Sequence, residues 1–596
     1  MCKLNLSFIK TLIMRSNSEA TLNLSQEFKE DFLMSKISAD VKATGTKARK
    51  DTEIHTSEIK TNFMGGESYV VDPIMTMKMM TASAIFGEPS YYMGSSLGNK
   101  ESYAEKEIRE SGAAILGEHL LFFRDLTGEA GDVVSAMETA IDNALKHDFE
   151  ATIRWAVTLR KEYLIRLNPQ VIMVRAAMHE NRIKFTSENP GEFNKVNKIV
   201  MSRADDCMAQ MAYYIYKNGS KAKVPSILKR SWADKLSSLS AYQVSKYKSH
   251  EIGMINAVRI CHAHSSVIDE LMQTGTVEIS QSEETWERMR SAGKSWKEIF
   301  ETVDMGHMAL LRNLRNFLQE VDDIVLTQKY LEKLKSGVKT GKQFPFRYYS
   351  AFKALNTCDG INNRRMGLDA LEECMDISLD NMPKLHGRTV CLSDNSGSAW
   401  NGLTTEYGSV VVAEIDNLSS VITAMRSDVG TVVKFGDTIK VFEISKRRGV
   451  LEQANEISEG RYSDVGGNTE GGIWEFLNKA TENNEHWDHI FIYSDQQAGT
   501  GGLYGTDAQS RIYREQGLSC QHRYSVDYIN VFEMILRYRK KVNPKVNVFS
   551  VQTAGYDNFV VPQSTYRTSL LYGWTGREPV YADVISKLWD EAEQAK

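Results

Sequence analysis

Two carboxylates and three hydroxyls are spaced so that one edge of a sheet would bring them together. They are Asp394, Ser396, Ser398, Thr469 and Asp495. The first three form the pattern D-x-S-x-S after an apolar segment, the threonine follows a Gly-Gly pair, and Asp495 ends a second apolar segment. Mg²⁺ binds about six hard oxygen ligands and usually keeps several waters. Because serine hydroxyls are neutral, such a site would leave the ion ready to accept a carboxylate or phosphate from a partner.

The elements that must position these residues lie in the C-terminal part of the chain. Apolar segments typical of strands alternate there with segments of helical periodicity, which predicts a parallel sheet covered on both faces. Ligands bind outside the carboxyl ends of the strands in such sheets. The predicted strands are 389–394, 430–435, 438–444, 489–495 and 546–554, and the predicted helices are 405–426, 471–483, 526–542 and 581–594.

The D-x-S-x-S segment also allows other interpretations. Asp394 and Thr469 are also residue types that cap helices. A nucleophilic serine is disfavoured because the segment lacks G-x-S-x-G and has no histidine in an obvious partner position. A metal hydrolase remains a third interpretation, although hydrolysis requires a positioned base and usually more carboxylates.

The region from about residue 70 to 382 has helical periodicity almost throughout. Short polar or Gly/Pro breaks separate the segments, which favours a solenoid of antiparallel helix pairs without a strict repeat length. Examples are 105–123, 131–145, 192–217 and 308–319. Residues 1–60 are polar over much of their length and are predicted to be a flexible leader.

A local basic stretch stands out in a chain whose net charge is -5. Residues 211–260 contain nine Lys or Arg and two Asp or Glu, whereas residues 451–490 contain two basic and nine acidic residues. Trp232, Tyr242 and Tyr247 are interleaved with the basic residues. Clustered cations neutralise phosphates, and aromatic faces stack on unpaired bases. The pattern is that of a surface for single-stranded RNA, but a solvated helix face is the more common explanation of such a charge run by itself.

Two family resemblances follow from these motifs. The order and spacing of D-x-S-x-S, the later threonine and the Asp at the end of a middle strand resemble the metal-ion-dependent adhesion site of von Willebrand factor A-type domains. The segments SKYKSH and AVRICH resemble the RNA-binding helices of the TROVE module of telomerase-associated, Ro and vault proteins. The runs MALLRNLRNF (308–317) and FPFRYYSAF (344–352) are similar to later parts of that module.

The resemblances imply an all-α HEAT-like solenoid ring followed by an α/β, Rossmann-like A-type domain. The expected domains are the leader at 1–60, the TROVE ring at 61–385 and the A-type domain at 386–596. The expected RNA-binding residues are Lys246, Lys248, His250, Arg259 and His262. His250 stands where the family often has an arginine, and a hydrogen-bonded core histidine is the alternative for His262.

The implied function is non-enzymatic RNA binding of the Ro type. Small noncoding, Y-like RNA would bind an outer basic surface, and single-stranded ends of misfolded RNA would enter a central hole of a monomeric ring. Mg²⁺ would serve docking, and an exoribonuclease is an expected partner in RNA quality control. A Mg²⁺-dependent protein-interaction scaffold is the alternative function.

The cysteine content and the lengths of the apolar runs indicate the cellular compartment. Seven dispersed cysteines without a C-x-x-C pair favour a reducing compartment. No apolar run is long enough to span a bilayer, so a cytoplasmic protein without membrane association is expected.

Overall fold

The computed structural model describes most of the chain from residue 59 onward. The described residues are 59–61, 67–82, 133–219, 222–247, 252–278, 285–380, 382–401, 410–467, 471–496, 498, 520–523, 526–554, 559–563, 565–573 and 575–594. The predicted leader lies outside them except for its last two residues, which belong to a short strand. The predicted helix at 105–123 also lies outside the described residues.

The chain divides into two compact units. One unit contains residues up to Val71, Asp304–Leu403 and Ser409–Lys596, and the other contains Asp72–Val303 with Thr404–Gly408. The predicted domain boundaries at 60 and 385 remain predictions.

The unit that begins at Asp72 is helical throughout its described residues. Its helices are α1 (Pro73–Ala82), α2 (Val133–His147), α3 (Phe149–Lys161), α4 (Asn168–Met178), α5 (Asn181–Glu188), α6 (Glu192–Val200), α7 (Asp206–Asn218), α8 (Ser226–Ser237), α9 (Ala241–Lys246), α10 (Met254–Cys261), α11 (Ser266–Thr274), α12 (Trp286–Ser291) and α13 (Trp296–Thr302). Side-chain caps start several of them: the Asp148 carboxylate accepts the Ala151 amide at α3, and Ser240 forms a capping box with Gln243 at α9. The predicted helical character of this region is confirmed.

The segment 192–217 is two helices rather than the single helical segment we predict from the sequence. The chain leaves the helix after α6 and re-enters it at α7. Asp206 stabilises the break, because its buried carboxylate accepts the Arg203 amide at 2.7 Å and the Arg160 guanidinium at 2.8 Å. Periodicity does not reveal such a turn, since apolar spacing continues across it.

The other unit combines helices with a six-stranded sheet. Its helices are α14 (His307–Glu320), α15 (Ile324–Ser336), α16 (Val338–Gly341), α17 (Pro345–Thr357), α18 (Arg364–Leu379), α19 (Gly397–Asn401), α20 (Val412–Met425), α21 (Val450–Ser458), α22 (Gly472–Glu482), α23 (Val531–Lys541) and α24 (Glu578–Gln594). Its strands are β1 (Ile59–Thr61), β2 (Glu67–Tyr69), β3 (Leu385–Asp394), β4 (Ser427–Phe435), β5 (Ile439–Glu443), β6 (His489–Ser494), β7 (Cys520–Arg523), β8 (Val526–Ile529), β9 (Asn547–Gln552) and β10 (Thr568–Tyr572).

The large sheet has the strand order β10-β9-β6-β3-β4-β5. All neighbouring pairs are parallel except β4 with β5, which is antiparallel. Every residue of β6 and β9 is buried, so both faces of the sheet are covered there, as the sequence predicts. The prediction of a wholly parallel sheet is wrong at its edge, because only the three residues Gly436–Thr438 separate β4 from β5, too few for a crossover.

Two further differences concern the end of the chain. Strand β10 and the β7–β8 hairpin are absent from the sequence prediction, and the helix predicted from 526 begins only at Val531. Asn530 marks that start, because its side chain accepts the amides of Phe532 and Glu533.

The strand order places a switch point between β3 and β6. From β3 the chain continues to β4 and β5 on one side, and it later returns to form β6 on the other side of β3. Ser393 lies opposite Tyr493 in the parallel register, so the carboxyl ends of β3 and β6 are adjacent. Crevices at such points are the usual ligand sites of open α/β sheets.

Candidate functional site

Asp394 lies at the carboxyl end of β3 and is completely buried. One carboxylate oxygen accepts the backbone amide of Ser396 at 2.8 Å, and the other accepts the hydroxyl of Ser494 at 2.7 Å. Burial raises the pKa of Asp394, and these hydrogen bonds act in the opposite direction by favouring the ionised form. The side chain is therefore held in one orientation by groups from both strands.

The two serines of D-x-S-x-S have their hydroxyls next to each other. The Ser396 and Ser398 oxygens are 3.0 Å apart, with Ser396 buried and Ser398 exposed. The turn thus presents hydroxyl oxygens at the edge of the sheet, beside the Asp394 carboxylate.

A buried amide network holds the turn from behind. The Asn395 side chain donates to the Ser393 carbonyl at 3.2 Å and to Asn417 of α20 at 2.9 Å. The side-chain oxygen of Asn395 accepts the indole N–H of Trp400 at 3.2 Å. The network fixes the turn to β3, α19 and α20, and sequence reasoning missed it because Asn417 is 22 residues away.

Glycines allow a neighbouring loop to approach the turn. The Gly397 amide donates to the Gly467 carbonyl at 2.9 Å, and a Cβ at position 397 would lie 2.6 Å from that oxygen. A Cβ at Gly436 would lie 1.9 Å from the carbonyl oxygen of Gly466. The loop that leads to Thr469 therefore lies against D-x-S-x-S, while Thr469 itself is outside the described residues.

Asp495 and Asp416 add two more buried carboxylates. Asp495 follows β6 and is 2% exposed, and Asp416 of α20 is fully buried. Burial raises the pKa of Asp416 well above its ordinary value, and the negative charge of Asp394 raises it further. A hydrogen bond from the Thr553 hydroxyl lowers this pKa, and the charge of Asp495 raises it by a smaller amount. Asp416 was not predicted as a site residue, because it lies inside an apolar helix segment with no motif around it.

This donor set fits a hard divalent cation. Buried carboxylates that repel one another need a counter-charge or a proton, and carboxylate and hydroxyl oxygens are the ligands that Mg²⁺ accepts. Within the described ranges, no group of three or more His, Cys, Asp or Glu side chains is placed to hold a metal ion. A metal here would therefore depend on the serine hydroxyls and waters as well as on the carboxylates.

The predicted RNA-binding residues belong to α9, α10 and the segment between them. Lys246 is exposed at the end of α9, and its ammonium group lies 5.8 Å from the centre of the Tyr242 ring and 6.0 Å from that of Tyr247. Tyr247 also accepts a hydrogen bond from Arg203 at 3.3 Å. A cation is thus interleaved with two partly exposed aromatic rings, as the sequence pattern indicates.

Arg259 and His262 lie on and after α10, and both are exposed. His262 ends the helix in a left-handed conformation with φ 59°, which histidine adopts more readily than most residues. The alternative of a core histidine is therefore wrong. Lys248 and His250 lie outside the described residues.

Trp232 is not part of an RNA-facing surface, contrary to its place in the sequence pattern. Its side chain is fully buried, and its indole N–H donates to Gln210 at 2.8 Å. Gln210 in turn donates to Asn197 and Gln170. Trp232 lies on the buried face of α8 and belongs to the core. A count of charges along the sequence does not show which face of a helix is buried.

Comparison with known proteins bears on this helical region. Residues 262–372 match the TROVE domain family. The chain carries a TROVE domain. The matched segment includes the runs at 308–317 and 344–352, and the predicted TROVE identity is confirmed. The other two motifs of the resemblance, SKYKSH (245–250) and AVRICH (257–262), lie before the matched residues except for His262.

The crystal structure of the Deinococcus radiodurans RO (RSR) protein is similar to this chain at 12% sequence identity and a TM-score of 0.48. The similarity covers 75% of this chain and 93% of that protein. No curated protein matches the sequence of this TROVE-domain chain. No helix among the described residues is long and apolar enough to cross a membrane.

Proposed function

We propose that this TROVE-domain protein binds RNA through the exposed basic side chains of α9 and α10. The observation that carries the proposal is the position of Lys246 between the rings of Tyr242 and Tyr247. Cations beside partly exposed aromatic rings can neutralise phosphates and stack on unpaired bases. The exposed Arg259 on the next helix extends the positive surface.

The favoured ligands are small noncoding, Y-like RNA and the single-stranded ends of misfolded RNA. Recognition would depend on charge and stacking, which suits loops and ends better than duplexes. The ring with a central hole, the exoribonuclease partner, the role in RNA quality control and the cytoplasmic location are parts of the same proposal that follow from the resemblance to Ro proteins. The function is binding and not catalysis.

The test is RNA binding at several salt concentrations, measured by fluorescence anisotropy with a labelled oligonucleotide of twenty unpaired pyrimidines. The double variant Lys246→Glu with Arg259→Glu removes two phosphate contacts. Its slope of log affinity against log salt should be shallower than that of the wild type by about 1.4. The exposed pair Lys329 and Lys540 offers a control with the same charge change.

Equal weakening in Lys329→Glu with Lys540→Glu would mean that total charge, and not this surface, governs RNA binding. Wild-type affinity in the Lys246 and Arg259 variant would refute the site assignment.

A second function is proposed for the A-type domain. The strand order with one antiparallel edge strand, the D-x-S-x-S turn and the buried Asp394 support a von Willebrand factor A-type domain with a Mg²⁺ site. Asp394, Ser396, Ser398, Asp495 and Thr469 would hold the ion, which would supply an electrophile for a partner's oxygen. The chain would then also act as a Mg²⁺-dependent scaffold for a protein partner.

Binding of Mn²⁺, followed by water-proton relaxation in wild type and Asp394→Ala, tests the metal site. Equal Mn²⁺ affinity of the two proteins would refute it. RNA cleavage that needs Mg²⁺ and disappears in Asp394→Ala would instead establish the metal hydrolase interpretation.

A further inference from the structure

A turn beside the candidate metal site carries an exposed arginine. Arg461 lies in the loop that follows α21, and its guanidinium lies over the indole of Trp400 with 5.8 Å to the ring centre. Trp400 belongs to α19, two residues after Ser398, and its indole N–H donates to Asn395 of the D-x-S-x-S turn. The arginine is therefore attached to the same short segment that presents the serine hydroxyls.

The next residue attaches the loop a second time. The Tyr462 ring packs against Gly467 so closely that a Cβ at position 467 would lie 2.8 Å from it. The Gly467 carbonyl accepts the Gly397 amide at 2.9 Å. Because two neighbouring residues of the loop contact the site in this way, the position of Arg461 at the edge of the turn is defined by packing.

The charge of Arg461 is unusual for its surroundings. Residues 451–490 contain nine acidic residues and two basic ones, Arg461 and Lys479. Lys479 forms an ion pair with Glu475. In the part of the chain that the structure describes, Arg461 forms no ion pair, and its side chain contacts the ring of Trp400. A cation–π contact uses none of the five N–H donors of a guanidinium in a hydrogen bond, so these donors can still pair with a carboxylate.

The backbone conformation of Arg461 also suggests a functional role. Arg461 has φ 51°, in the left-handed region, directly after Gly460 with φ 69°. A residue with a Cβ is strained there, whereas glycine is not. Local strain of this kind is an observation from which a functional role can be inferred. Glycine would adopt this backbone conformation without strain, so the conformation itself does not select arginine.

We propose that Arg461 is a second anchor for an acidic side chain of a protein partner that docks at the candidate metal site. The guanidinium, held by Trp400, pairs with a carboxylate next to the Ser396 and Ser398 hydroxyls. The acidic surroundings favour a segment with one carboxylate over an extended RNA, because repulsion grows with every phosphate. This inference rests on the metal-site part of the proposed function.

The test starts with selection of phage-displayed random peptides on the full chain in the presence of Mn²⁺. We expect enrichment of peptides with Asp or Glu. A synthetic peptide of the enriched sequence should then bind Arg461→Met and Arg461→Gly at least tenfold more weakly than the wild type, and Arg461→Lys with intermediate affinity. Arg447→Met, at another exposed arginine of the same unit, should bind like the wild type.

Two further measurements separate binding from folding and from the metal. Arg461→Gly should have the circular dichroism spectrum of the wild type and stay folded at the temperature of the binding assay, so that its lost affinity cannot be due to unfolding. Mn²⁺ affinity should be unchanged in Arg461→Met. If the wild type binds no Mn²⁺, the metal site is refuted, and acidic peptides that still bind through Arg461 in EDTA would uphold the anchor alone.

Selected peptides without acidic residues would overturn the proposal, as would a selection that enriches nothing. Equal peptide affinity of Arg461→Met and the wild type would overturn it too. An unpaired RNA oligonucleotide whose binding depends on Arg461 would replace the protein partner by a phosphate ligand and thereby also overturn it.

Discussion

Ser494 donates a 2.7 Å hydrogen bond to Asp394, which precedes it by 100 residues in the chain. The two residues end adjacent parallel strands, β3 and β6, and both are buried. The bond stabilises the ionised form of a carboxylate whose burial disfavours its charge. The orientation of Asp394 therefore depends on the strand order of the sheet.

Replacement of Ser494 by alanine tests this dependence. The variant removes a donor to a buried carboxylate, and we expect unfolding free energy to fall by about 1–3 kcal/mol in urea denaturation. Mn²⁺ affinity should fall roughly 10–100-fold, as for other residues that orient a metal ligand. Ser187→Ala, at an exposed serine that bonds only its own helix, is the control and should leave Mn²⁺ affinity unchanged.

Gly397 should not tolerate a side chain. A Cβ there would lie 2.6 Å from the Gly467 carbonyl, so Gly397→Ala should force the two loops apart and lower the unfolding free energy by about 1–3 kcal/mol. Mn²⁺ affinity should fall with it. Gly306→Ala, where a Cβ would meet nothing within 4 Å, should cost less than about 1 kcal/mol. Equal effects of the two substitutions in thermal and chemical denaturation would contradict the close approach.

The Tyr242 and Tyr247 rings should contribute to single-stranded RNA affinity by stacking. Tyr242→Ala with Tyr247→Ala should weaken binding of an unpaired oligonucleotide by about 1–3 kcal/mol for each stacked base and change duplex affinity little. Replacing both tyrosines by phenylalanine keeps the rings and should keep the affinity. A loss in the phenylalanine variant, measured by anisotropy, would indicate hydroxyl contacts in place of stacking.

Trp232 should matter for stability and not for RNA binding. Trp232→Phe leaves Gln210 without its indole donor in a buried network. The Gln210 oxygen then keeps only the longer 3.4 Å bond from Asn197. Loss of one buried hydrogen bond costs about 0.5–1.5 kcal/mol, which urea denaturation should detect. RNA affinity of the folded variant should equal that of the wild type. A selective loss of RNA affinity would mean that Trp232 reaches the ligand.

His307 should make the protein less stable in mild acid. Its ring is buried between the Leu334 carbonyl and the Tyr348 hydroxyl, and burial lowers its pKa below 6.5. Below about pH 6.5 the unfolded chain therefore binds more protons than the folded chain, and stability falls as pH decreases. We expect His307→Gln to have a flatter dependence of unfolding free energy on pH between about 7 and 5.

The exposed His264 offers the matched control for that measurement. His264→Gln should not flatten the pH dependence as His307→Gln does, because the His264 ring is exposed. A wild-type slope in His307→Gln would assign the acid sensitivity to other groups, of which His489 is one, since burial lowers its pKa as well.

Much of the fold follows from local patterns. The strands that end at Asp394 and Ser494 and the helices at 133–147 and 307–320 could be predicted, because their apolar residues have the period of the element they form. The breaks and edges could not. The turn before α7 depends on a hydrogen bond to the buried Asp206 carboxylate. The antiparallel direction of β5 depends on the short connection between β4 and β5.

Local sequence is enough to identify the residue types of this protein's sites: the D-x-S-x-S turn, the basic stretch with its tyrosines, and the TROVE segment. These features are local, because the spacing of residues within a motif does not depend on the rest of the fold. The fold was needed to show that Asp416 lies near Asp394, that Trp232 belongs to the core and that Arg461 lies over Trp400. Those relationships join residues far apart in the chain, and they arise from strand order and helix packing, which no short segment encodes.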